Sequence, residues 1–118
     1  MARYNLEVQS YKVQVGRRWD GMASNQAVFG PAYIVCNAAD GWTLVVYFMD
    51  PTSPQAANTV YLPTKRVTLF VPPDRYPMFI DVLRNEKPVY ASFDSDHPEW
   101  TALSTGNEPV GEHDVITV

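Results

Sequence analysis

Arg17-Arg18-Trp19-Asp20 is the short stretch in which residue types and spacing best suit recognition chemistry. Two guanidiniums beside an indole could grip an anion and stack against a planar ring. The same set could serve a single-stranded nucleic acid, whose bases stack on aromatic side chains while cations follow its backbone. The competing reading is structural, because tryptophan usually sits largely buried. Trp19 would then fold back onto the core while the arginines pair with acids elsewhere. Arg17, Arg18 and Trp19 are therefore the ligand-binding candidates.

Acid/base chemistry has fewer handles. Asp94-Ser95-Asp96-His97-Pro98-Glu99 is the densest set of metal-type ligands. It fails as a calcium loop, since Glu99 stands sixth where the turn needs glycine. A solvated turn is the simpler account, with Asp and Pro present for turn geometry. Asp96, His97 and Glu108 remain candidate proton-transfer groups for a small enzyme whose site is assembled from distant residues. Glu108 and Glu112 could form a pair, but nothing in the sequence fixes their separation. No Gly-x-Ser-x-Gly, His-Glu-x-x-His or phosphate-binding Gly-x-x-x-x-Gly-Lys motif occurs. The one cysteine, Cys36, lies in an apolar run and reads as a small buried hydrophobe. No catalytic residue, metal site or cofactor is assigned, and the balance leans away from an enzyme.

These side chains must be positioned by strands. Apolar residues alternate on even positions at Tyr4, Leu6 and Val8, then on odd ones at Tyr11, Val13 and Val15. Strand side chains switch faces every residue, so the change of phase predicts a β-bulge near Gln9-Ser10. Gly16 to Asn25 reads as a polar loop. Ala32–Ala39 and Trp42–Asp50 read as a hairpin around Asp40-Gly41, a pair that tolerates the positive φ of a two-residue turn. That loop would set Cys36 opposite Val45 and Ile34 opposite Tyr47. The second strand is apolar on both faces, with Leu44, Val46 and Phe48 on one and Val45, Tyr47 and Met49 on the other. Both faces are expected to be covered.

Thr59–Leu62 and Arg66–Val71 read as further strands, the first a short edge. Asp74 is placed to cap a helix of about residues 74–85, whose apolar stripe is Tyr76, Phe79, Ile80 and Leu83. Val89–Phe93, Trp100–Ser104 and the closing Val115-Ile116-Thr117-Val118 complete the strands.

The whole is expected to be a single domain, 1–118, of α+β class and mainly antiparallel. Its form would be a strongly bent sheet or partly open small barrel of six to eight strands with one packed helix. Composition agrees with a soluble globular chain, at 46% hydrophobic and 19% charged. No apolar run is long enough to cross a membrane as a helix. The absence of a disulfide framework and of a recognisable export signal points to the cytoplasm. Net charge is −4, and from Asp94 onward there are six acids and no Lys or Arg. That asymmetry disfavours nucleic acid as a partner, since phosphates would meet like charge. The functional expectation is a non-catalytic binding or assembly module that acts as a homo-oligomer and holds a small ligand or protein partner on a concave sheet face.

Overall fold

The computed structural model describes residues 3–23 and 25–106. The expected strand at Val115–Val118 and the candidate Glu108 lie outside those residues.

Seven strands form one sheet in the order β4-β5-β3-β2-β1-β6-β7, and the sheet curls into a nearly closed barrel. Its strands are β1 (Arg3–Ala23), β2 (Gln26–Ala38), β3 (Thr43–Phe48), β4 (Thr59–Tyr61), β5 (Arg66–Val71), β6 (Val89–Asp94) and β7 (His97–Thr105). Every pairing is antiparallel except that of β3 with β5. The segment between β3 and β4 carries the chain past β5 to the sheet edge, which is why β5 can return parallel to β3.

The phase change in β1 is the bulge expected from the sequence: its register with β2 shifts between Val8 and Ser10. A second shift, between Val15 and Trp19, replaces the polar loop expected at Gly16 to Asn25. The strand continues through that stretch to Ala23, which pairs with Gln26, and Asn25 turns the chain with a φ of +66°. Glycine and polar residues mimic a loop here. The extra residues of the bulge are accommodated by Gly16, at φ +86°, a conformation costly for other residues. β2 consequently begins at Gln26, well before the expected Ala32.

The Asp40-Gly41 turn forms with both residues at positive φ, 61° and 78°. Its register differs from expectation by one residue. Trp42 N–H donates to the Ala39 carbonyl, but its own carbonyl accepts from Ala38 N–H at 2.8 Å, leaving Ala39 as an extra residue. Cys36 therefore pairs with Leu44 and Ile34 with Val46. All four are buried in one core, the outcome a face-consistent register requires.

That inner core is capped by α1 (Tyr76–Asn85), preceded by a 3-10 turn at Pro73–Arg75. Asp74 lies within the turn and makes no capping bond to the helix, contrary to the sequence reading; Pro77 occupies the first helical turn, where its missing N–H has no intrahelical partner to lose. Ten residues are too few for a helix to persist alone in water, so burial of its apolar stripe holds it. Tyr76, Phe79, Ile80 and Leu83 pack on the inner core, and the first two rings meet Phe48 edge-on.

Closure of the barrel runs through Asn58. Its carboxamide accepts from Phe70 N–H at 2.9 Å and donates to the Pro98 carbonyl at 3.3 Å, tying β5 to β7. Among the described residues no helix is long and apolar enough to cross a membrane.

Candidate functional site

The other face of the sheet is where side chains of different strands converge. Register places them in three ladders running across the strands. The first is Gln14, Tyr33, Tyr47 and Phe70; the second Lys12, Val35, Val45, Thr68 and Thr59; the third Ser10, Asn37, Thr43, Arg66 and Tyr61. Bonds along the ladders fix the ends, with Tyr33 OH donating to Gln14 Oε1 at 3.1 Å and Asn37 Nδ2 to Ser10 Oγ at 3.1 Å. The face thus grades from aromatic through aliphatic to polar.

The distal half of the β1–β2 hairpin bends over the aromatic end. Trp19 closes that end with Val28 and Met49 as a second, smaller core. Its ring lies 4.8 Å from Tyr47, which stacks on Phe70 at 5.4 Å. The indole N–H donates to the Ala32 carbonyl at 2.8 Å and contacts that of Phe48 at 3.3 Å. Such a close crossing requires glycine beside it. A Cβ on Gly30 would overlap the Phe48 carbonyl oxygen and lie 2.9 Å from the indole nitrogen. The segment after β3 is pinned over the same end. Asp50 N–H donates to the Phe29 carbonyl, and buried Ser53 accepts from Phe29 N–H at 3.0 Å.

Between the hairpin tip and the β4–β5 side lies an open cleft of about 700 Å³. Its floor is Tyr33, Val35, Val45 and Tyr47; Val45 is only 2% exposed within the single chain. Both faces of β3 are therefore covered, one by the inner core and the other by the bent hairpin and the ladder side chains. Three charged residues line the cleft: Lys12, Arg66 and Asp20. Arg66 reaches across the floor and donates from Nη2 to Tyr47 OH at 3.0 Å, a neutral partner. Asp20 is already paired, its carboxylate 2.8 Å from Arg18 Nε.

The structure thus places Arg18 and Trp19 on two faces. Trp19 is 7% exposed and forms the cleft's end wall. Arg18 turns to the opposite side, where its guanidinium lies 4.0 Å from the Phe29 ring centroid. Arg17 belongs to the bulged part of β1. Arg18 and Trp19 do not converge on one ligand position; what Trp19 shares instead is a cleft with Arg66 and Lys12. Sequence inspection misses those two because they lie on other strands, and only the ladder register brings them onto one face.

Asp96 and His97 sit elsewhere, at the β6–β7 turn. His97 stacks on Trp100 at 3.9 Å, and its Nδ1 lies 3.2 Å from Glu99 Oε2. The Glu99 carboxyl is held below its ordinary value, first by a backbone hydrogen bond and then by His97. Asp94, buried beside this turn, accepts from Asp96 N–H at 2.8 Å, and its other oxygen stands 3.7 Å from Arg3 Nε. None of these residues lines the cleft. Burial pushes the Cys36 thiol up to about 12, which leaves it protonated and inert at neutral pH. Among the described residues no group of three or more His, Cys, Asp or Glu side chains is placed to hold a metal ion.

Comparison of the chain with protein-family models, with curated proteins and with solved structures finds no match.

Proposed function

We propose that this protein is a non-catalytic binding module that acts as a homo-oligomer and captures a small ligand in the cleft on the outer face of its sheet. The observation that carries the reading is the cleft itself: an aromatic and aliphatic floor, walled by Trp19 and rimmed by charged and hydroxyl side chains. In a ligand site apolar contact supplies affinity and placed polar groups fix orientation. The volume, about 700 Å³, falls in the range that encloses a small organic molecule. The acid/base candidates Asp96 and His97 stand apart from that cleft, which favours binding over catalysis. A cytoplasmic setting belongs to the same proposal, supported by a chain whose single cysteine is buried and unpaired.

A thermal-shift screen of a metabolite library tests the ligand reading when run in parallel on the wild type and on Thr68→Trp. Thr68 sits mid-cleft, half-buried in the second ladder, so an indole there would occupy the cleft itself. The expected result is at least one compound that raises the wild-type midpoint and leaves the variant unmoved. Equal responses from both proteins, or none from the wild type, would reject the cleft as the binding site.

A further inference from the structure

We infer that the cleft selects a small planar organic anion, such as an aromatic carboxylate or sulfonate, an inference that rests on the cleft being the ligand site. The charges decide the sign. The chain carries a net −4, yet the cleft presents two cations against one acid. That acid, Asp20, is neutralised by Arg18 from outside at 2.8 Å. Among the described residues Arg66 has the Tyr47 hydroxyl as its hydrogen-bond partner, and no carboxylate pairs with either Arg66 or Lys12. Both are exposed enough to reorient toward a ligand.

Their placement also sets the shape. Lys12 ends the second ladder on one side, and Arg66 enters from the third ladder on the other, so half-buried Val35 and the nearly buried Val45 form an apolar strip between them. Tyr33, Tyr47 and Phe70 line that strip along one side. A planar ring lying over Val35 and the ladder side chains that cover Val45 would have ring edges of the first ladder beside it and a cation at either end. A guanidinium adds a forked pair of donors suited to carboxylate or sulfonate oxygens. A cationic ligand would meet like charge at both ends, and a neutral one would leave both cations without a partner.

Two probes that share one ring system separate charge from greasiness. Anilinonaphthalene sulfonate carries the anion, and phenylnaphthylamine lacks it. Binding of each to the full chain is followed by methyl NMR of Val35 and Val45, with affinity from probe fluorescence. Arg66→Gln and Lys12→Gln serve as variants, since both residues are exposed and their loss spares the core. The sulfonate should shift both valines and bind about tenfold more tightly than its neutral counterpart, and each variant should weaken the sulfonate alone by about the same factor. Equal binding of the two probes at these valines, unaffected by either variant, would overturn the anion inference while leaving the cleft as a site. If neither probe moves the valine methyls, the cleft reading falls and the inference falls with it.

Discussion

Trp19 is the residue on which the outer face depends. Its indole N–H reaches two carbonyls, while its ring closes the second core. Trp19→Phe keeps most of the apolar contact and removes the donor. A loss of about 1–3 kcal/mol is expected in urea unfolding, because the buried Ala32 carbonyl loses its indole partner. Gly30→Ala is expected to cost about 3 kcal/mol, since the added methyl overlaps the backbone of Phe48, which cannot yield as a flexible side-chain end would. Denaturant midpoints of both variants at unchanged m check this; a Gly30→Ala protein as stable as wild type would mean that the hairpin crosses β3 less closely than described. Cys36 offers a simpler readout. With its thiol raised to about 12 by burial, it should resist a thiol reagent such as Ellman's in the native protein at pH 8 and react stoichiometrically in denaturant.

Among the elements, the segment from Met49 to Asn58 does most to couple the two faces. Asp50 accepts from Thr52 N–H at 2.9 Å and from Thr52 Oγ1 at 2.7 Å, and these bonds hold its carboxyl below the ordinary value. A carboxyl depressed in the folded state contributes stability above its unfolded pKa and loses it as pH falls through the folded one. The wild type should therefore lose a small increment of stability on acidification below about pH 4, and Asp50→Asn should lack that part of the acid dependence. Further along, Asn58 spans β5 and β7. Asn58→Ala should cost about 1–3 kcal/mol and speed hydrogen exchange at the Phe70 amide, the donor left without its partner. These elements also mark what the sequence could convey. Local signals located the bulge at Gln9-Ser10, the Asp40-Gly41 turn, β5 and the helical stripe, because each depends on neighbours in the chain. The polar letters of Gly16 to Ala23 concealed a strand, since their partners in β2 and the covering Trp19 contacts are long-range. Nor does any local pattern announce the parallel return of β5 or the juxtaposition of Lys12 with Arg66; both follow from register across strands distant in sequence.

For the whole molecule, the remaining question is what pairs with the long strand. β1 uses Arg3 to Glu7 against β6, and beyond Glu7 only its β2-facing edge is paired among the described residues. Along this open edge Val13 and Val15 are 36% and 56% exposed, on the side of the strand where Tyr11 joins the inner core. A long half-apolar edge is what natural sheets ordinarily shield with charge, bulges or a covering element, and here the Gly16 region bulge guards only its far part. The homo-oligomer we propose would use this edge. A second copy laid antiparallel against Tyr11 to Val15 would continue the sheet through a two-fold axis and bury the two valines of each chain. Light scattering coupled to size exclusion should then report a dimer or higher species at micromolar concentration. Val13→Glu with Val15→Glu, exposed substitutions that leave the inner core intact, should return a monomer by setting carboxylates against one another across the axis. A wild type that is already monomeric would remove the assembly half of the proposal, and a double variant that still associates would move the interface away from β1; in either case the cleft, built within one chain, would keep its ligand chemistry.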